Sequence, residues 1–461
     1  MRTWLHIAHD DRLPSDMPRT RGLSGDWKSP YDREIARLAV PALGALIAEP
    51  LYTLADTAVV GHLGTPHLGG LAVASQVLLG ALSLFIFLAY GTTAAVGRLI
   101  GAGDHHRAAQ QAVQGLWLAA AVGAVLAAAA YVFADPLLRI LGADGEVLAQ
   151  GRIYLRISLF GLPGILITLA KINYLRGLQD TLRPLKVAVF TAVLNLVLEL
   201  VLIYGLGFGI GASALSTVVA QWLAAGAYVW WIREAVTAHG VTMAPDRSMI
   251  ARLAVVGLDL FLRTAALRAS FTMSVAVAAR LGDIELAAHE VIYQLMFFLA
   301  LVLDAVAIAG QAMIGRYLGA NELPQARAAG RRMIEWGLAT GLAATIVLLI
   351  TRPWLPLVFS SDEAVLSLVG FLMLHLAFIQ PVNGVVFALD GVLIGAGDMR
   401  FLAVAMAGAA AIFIPLALWI VAADAGIGWL WGAMWALMGA RLIALLWRFA
   451  SSRWLVPGAV R

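Results

Sequence analysis

Residues 40–64 read VPALGALIAEPLYTLADTAVVGHLG. The stretch is apolar and long enough to cross a bilayer, which takes roughly 20 such residues, yet it carries Glu49 and Asp56. Seven residues make almost two helical turns, so the two acids project from nearly the same face, with Thr53 between them. Pro50 has no N–H to offer the carbonyl of Leu46, so a helix here is expected to bend or loosen. A carboxylate at membrane depth is costly and marks a functional site by default. An acid beside a weak point in a helix reads as a titrating, moving part.

The rest of the chain has the same character. Of its 461 residues 61% are hydrophobic and 13% charged, with mean hydropathy +0.85. Soluble domains carry about 25% charged residues, so this is an integral membrane protein. With no cysteine, disulfides, iron–sulfur clusters and thiol catalysis are excluded. The first 30 residues are polar and lack the apolar core of a signal peptide; residues 1–32 are expected to form a flexible cytoplasmic tail.

Apolar spans recur near 33–60, 68–97, 107–134, 147–175, 184–205 and 211–233, and again near 252–280, 286–315, 333–351, 364–394, 400–421 and 428–448. The fold class is therefore all-α, with about twelve transmembrane helices. Of the 32 Lys and Arg, 25 fall on the side of the N-terminus. The positive-inside rule then makes both termini cytoplasmic.

The halves repeat. At a constant shift of 218, Gly97-Arg98 meets Gly315-Arg316, Gly101-Ala102 meets Gly319-Ala320, Pro163 meets Pro381, and Gly177 and Asp180 meet Gly395 and Asp398. Each repeat has an even number of spans, so the two run parallel, related by an axis along the membrane normal, with a substrate path expected between them. The expected division is an N-lobe at 33–235, a cytoplasmic linker at 236–250, a C-lobe at 251–450 and a cytoplasmic tail at 451–461.

The buried polar residues are not repeated. At that shift Asn195 and Glu199 map to Phe413 and Ala417, and no acid matches Asp56. Thr191, Asn195 and Glu199 make one i, i+4 stripe; Ser213, Thr217 and Gln221 make another. With Glu49, Thr53 and Asp56 they could build a pocket of oxygen ligands and protonatable groups. Thr191, Ser213 and Gln221 read more readily as interhelical hydrogen-bonding glue, and Asp56 and Glu199 as functional. In the second half Asp259 and Arg263 have the i, i+4 spacing of a structural ion pair. Glu290, Gln294, Asp304, Asn383 and Asp390 could either line a cation-attracting cavity or lock the lobe. His105-His106 lacks the further ligands a metal site needs. No nucleophile–base pair, Walker sequence or zinc signature is present, so neither catalysis, a cofactor nor nucleic-acid binding is expected.

These residues resemble the multidrug and toxic compound extrusion family, in particular its DNA-damage-inducible-protein-F branch. LADTAVVGHLG is similar to the family's acid-Thr segment, and LNLVLELVLIYGLGFGIGASALST to its Asn-x-x-x-Asp segment and small-residue turn, with Glu199 where Asp is usual. In the second half LRTAALRASFT, AARLG, AAHE, DAVAIAGQAMIG and QPVNGVVFALDGVLIG look like the branch itself. The resemblance implies a V-shaped, monomeric antiporter of the inner membrane. It would expel amphipathic, often cationic compounds in exchange for H+, or alternatively Na+. Asp56 would be the coupling acid, with Asn195, Glu199 and Thr217 in the cation site. A lipid-linked oligosaccharide flippase of the same architecture is the alternative, and a membrane-embedded enzyme a more distant one.

Overall fold

The computed structural model describes residues 29–83 and 86–459, and among these there are helices and no strand. The first half comprises α1 (Pro30–Gly61), α2 (Thr65–Ser83), α3 (Ile86–Gly101), α4 (His105–Val132), the short α5 (Ala134–Ile140), α6 (Gly145–Ser158), α7 (Leu162–Gly177), α8 (Leu182–Leu200) and α9 (Ile210–Ala238). The second comprises α10 (Arg247–Leu281), α11 (Asp283–Gly319), α12 (Leu323–Thr351), α13 (Glu363–Gly395), α14 (Met399–Ala422) and α15 (Ile427–Ala450). Most of the expected tail, residues 1–28, lies outside the described residues. Helix α1 begins before the expected boundary because Ser29 and Asp32 form a reciprocal capping box with Pro30 at the first turn. The expected span near 147–175 is broken into α6 and α7 by a 3-10 turn at Leu159–Gly161, just before Pro163.

Among the described residues, eleven helical segments are long and apolar enough to cross a membrane. The twelfth expected span is α10, 35 residues long but bearing Arg252, Asp259, Arg263 and Arg268. Asp246 caps its start, accepting from the N–H groups of Ser248 and Met249 at 2.9 and 3.2 Å. The Ser248 hydroxyl and these N–H groups hold the Asp246 carboxyl below its usual range.

The repeat seen in the sequence is visible in the packing. Helix α3 crosses its equivalent α11, with Gly97 against Gly315. A Cβ at Gly101 would lie 2.0 Å from the carbonyl oxygen of Arg316; one at Gly319 would lie 2.0 Å from that of Arg98. Each contact is thus matched by its partner under exchange of the halves, as in an isologous dimer interface. Small residues let the backbones touch, the usual means of helix association in lipid.

The same device joins α12 to α13. A Cβ on Gly384 would sit 2.0 Å from Gly337 O, and one on Gly341 would sit 2.4 Å from Gln380 O. Gly384→Ala is therefore expected to force these helices apart and cost about 1–3 kcal/mol, the usual range for overpacking. A melt in detergent, followed by the intrinsic fluorescence of the 14 Trp, checks this; an unchanged midpoint would contradict the close approach.

Candidate functional site

The C-terminal half of α1 is loosely packed against the rest of the protein. Glu49, Thr53 and Thr57 are exposed, Leu51 is 60% exposed and Leu54 68%. Two side chains one turn apart tie this segment to α9. The Tyr52 hydroxyl lies 2.9 Å from Thr217 Oγ1, and Ser213 Oγ donates to Asp56 Oδ1 at 2.5 Å. Both pairs follow i, i+4 spacing, so the two helices meet along matching polar stripes. Asp56 is buried while Glu49 is not. The acids share a face, but below Glu49 that face packs on α11, where Ala42, Leu43 and Leu46 meet Ala305 and Ile308. Thr53 turns its hydroxyl back to the carbonyl of Glu49 at 3.0 Å. Glu49 and Thr53 are thus not brought into the buried pocket.

Helix α8 supplies the remaining groups. Asn195 Nδ2 donates to Thr217 Oγ1 at 3.0 Å and to Ser216 Oγ at 3.4 Å. Glu199 is fully buried. Its two carboxyl oxygens, and Asn195 Oδ1, have no hydrogen-bond partner among the described residues. Immediately after Glu199 the helix widens into a π turn at Val201–Gly205, a distortion often found at functional sites. The result is a set of acceptors short of donors: two carboxyl groups, an amide oxygen and hydroxyls. Burying such groups unpaired is unfavourable; a proton or a hard cation among the oxygens relieves it. Thr191, by contrast, bonds back to Val187 O and Ala188 O of its own helix. The Gln221 side chain makes no hydrogen bond among the described residues.

In the second half the expected Asp259–Arg263 pair does not form. Arg263 reaches across to Asp390 on α13, Nη2 to Oδ2 at 2.6 Å, and Arg441 on α15 reaches the same oxygen at 2.6 Å. Arg441 is 5% exposed and its other contact is Met438 Sδ at 3.4 Å. Asp390 is therefore a structural node and not a free cavity acid. Glu290 and Gln294 bond each other at 2.7 Å on an exposed face. They lie about three to four turns from Asp304 along α11, about 15–21 Å at the helical rise. Asn383 is buried with Oδ1 unpartnered. Among the described residues no three His, Asp or Glu side chains gather as a metal site.

Sequence reasoning set aside two members of the first-half cluster. Tyr52 was overlooked although it stands one turn before Asp56, and Ser213 was read as glue although it heads the stripe containing Thr217. Arg441, near the last cytoplasm-assigned end of the chain, carries no local signal of its bond to Asp390 on another helix.

Two parallel repeats of membrane-spanning helices, joined through one equivalent helix from each, define a membrane transporter rather than an enzyme. The family whose model is described as MatE matches residues 41–201 and again 260–419. The chain belongs to that family, the multidrug and toxic compound extrusion transporters. It is similar to Protein DETOXIFICATION 44, chloroplastic, of Arabidopsis thaliana (33% identity, covering 91% of this chain and 82% of the relative). It is also similar to DNA damage-inducible protein F of Escherichia coli K12 (29% identity, covering 90% and 92%). In structure it matches a solved MATE described as in the bent conformation, with TM-score 0.84 at 22% identity, covering 92% of this chain and 96% of that one.

Proposed function

We propose that this protein is a secondary active exporter that expels amphipathic, often cationic organic compounds in exchange for H+, or Na+, across a cytoplasmic membrane. Both termini are on the cytoplasmic side, as the Lys and Arg distribution favours. The N-lobe spans 33–235 and the C-lobe 251–450, joined by the linker at 236–250, and the protein works as a monomer. One observation carries the reading: the loosely packed half of α1 holds a buried acid, Asp56, bonded to Ser213, while Glu199 and Asn195 on α8 keep buried oxygens without donors.

In this reading Asp56 takes the incoming cation, and Asn195, Glu199 and Thr217 shape its site. Neutralising Asp56 changes its bond to Ser213, and α1, already weakened at Pro50, shifts against α9. That movement alters the N-lobe pocket and favours release of the compound. For an uncharged compound, one cation crossing 100 mV supplies about 2.3 kcal/mol, enough for a substrate gradient of roughly fiftyfold; for a singly charged cation exchanged one for one the charges cancel and the ion's concentration gradient does the work.

Resistance profiling of an overexpressing strain against cationic dyes, with efflux in inverted vesicles under imposed H+ or Na+ gradients, tests the reading. Ion-driven efflux of several unrelated cations is expected; a strain with unaltered resistance and vesicles without efflux would overturn it. Glu199→Gln, which keeps shape and burial, is expected to lower ion-driven efflux about three- to tenfold, less than loss of Asp56. The initial efflux rate at matched protein level checks this.

A further inference from the structure

Arg98 and Arg316 are equivalent across the repeat and cross to opposite halves at one end of the molecule. Arg98, 2% exposed, donates from Nη2 to Ala396 O at 2.7 Å and from Nη1 to Gly458 O at 3.0 Å. Arg316 donates from Nη1 to Gln179 Oε1 at 2.6 Å and pairs through Nη2 with Glu34 at 3.0 Å. Gln179 Nε2 and the Tyr317 hydroxyl also donate to Glu34, at 3.1 and 3.0 Å. Two residues earlier on α1, Asp32 accepts two bonds from Arg332 at 2.6 and 2.8 Å and one from Trp336 at 2.8 Å. The start of α1 is thereby fastened to the second half.

Gln179 has φ +60°, a conformation costly for a residue with a Cβ. Its equivalent at the shift of 218 is Gly397, φ +70°, which adopts it freely. The first half thus keeps a strained glutamine where glycine would be relaxed, and that side chain is the one joining Glu34 to Arg316.

The segment after α15 fastens the halves in the other direction. Trp454 is fully buried, stacked on Phe449 at 5.2 Å between centroids, with Nε1 donating to Phe449 O at 3.0 Å. Gly330 leaves the room it occupies. Further on, Gly458 accepts from Arg98, donates its N–H to Leu318 O at 3.0 Å, and has φ +107°. Ala459 packs on the first-half cluster containing Val96, Leu99 and Ala108.

We propose that Arg98 and Arg316 are paired gating residues of the transport cycle, and that residues 451–459 are a strap, anchored by Trp454 in the second half, that holds the halves together on this face. Opening toward this face requires the Arg316–Glu34–Gln179 and Arg98–Gly458 contacts to release together. The proposal rests on the alternating-access reading above and on its assignment of this face to the cytoplasm.

The chain has no cysteine, so a single introduced one reports without background. Ala312→Cys places it on α11 at a fully buried position beside Gly97. Labelling by a membrane-impermeant maleimide is measured in inverted and right-side-out vesicles. Arg316→Glu, Glu34→Arg and Gly458→Val are each expected to raise labelling about tenfold in inverted vesicles alone. The double variant Glu34→Arg/Arg316→Glu is expected to return it to within about twofold of the parent, because the Gln179 amide can serve either polarity. Ala417→Cys, fully buried within the second half, must stay unlabelled, which distinguishes opening from unfolding. Unchanged labelling in the single variants, or a double variant no better than either single, would overturn the latch. A rise in right-side-out vesicles instead would overturn the placement of this face. Efflux absent from the parent while labelling responds as expected would overturn the exporter reading and leave the latch standing.

Discussion

Replacing Asp56 by Asn is expected to reduce ion-driven efflux at least tenfold and leave folding nearly unchanged. The substitution keeps the volume and retains an acceptor for the Ser213 hydroxyl at the position now bonded at 2.5 Å. It removes the one carboxyl that links the loosely packed half of α1 to α9. An exchanger works only if a bound ion alters the balance between two conformations, and a site with no differential affinity shifts nothing. A tenfold loss corresponds to about 1.4 kcal/mol of transport barrier. Transport in inverted vesicles, with protein level and melting midpoint measured alongside, checks both halves of the expectation. Near-normal driven efflux by Asp56→Asn would remove Asp56 from the centre of the mechanism.

The largest loss of stability is expected at Asp390. Asp390→Leu fills similar space and strips Arg441 of its carboxylate, leaving a buried guanidinium with only the Met438 sulfur at 3.4 Å as contact from its own side chain. Removing one member of a buried pair costs about 3–5 kcal/mol, whereas replacing both by apolar residues is often neutral. Asp390→Leu/Arg441→Met is therefore expected to recover much of the lost stability. The comparison uses thermal unfolding in detergent at fixed lipid content. A double variant as unstable as Asp390→Leu alone would show that Asp390 serves Arg263 and the surrounding packing more than Arg441.

How far the sequence could be read depends on the range of each interaction. Span positions, the halving of the chain and the repeat follow from hydropathy and a fixed shift, which are properties of the chain alone. The Gly97/Gly315 and Gly101/Gly319 matches revealed the repeat, but that these glycines let α3 and α11 touch backbone to backbone is a long-range fact that only the structure supplies. The proline and the two acids of α1 were legible locally, but proximity to Pro50 favours Glu49 as much as Asp56, and it was the resemblance to the family's acid-Thr segment that singled out Asp56. Whether Ser213 was glue or a partner of Asp56 depended on which helix faced it, and no spacing along one helix decides that. Arg263 shows the limit most plainly. The local rule paired it with Asp259, but a carboxylate 127 positions away gave a direct bond at 2.6 Å that a second buried arginine shares. Glu49 likewise lies on the same helical face as Asp56, yet only Asp56 is at the level covered by α9.

The most direct measurement is drug-stimulated proton movement in proteoliposomes, with and without sodium, comparing the parent protein with Asp56→Asn. Adding a cationic substrate is expected to drive H+, or Na+, in the opposite direction in the parent and to produce no ion movement in Asp56→Asn. Substrate flux that persists at the same rate with all ion gradients collapsed, and in both proteins alike, would contradict it.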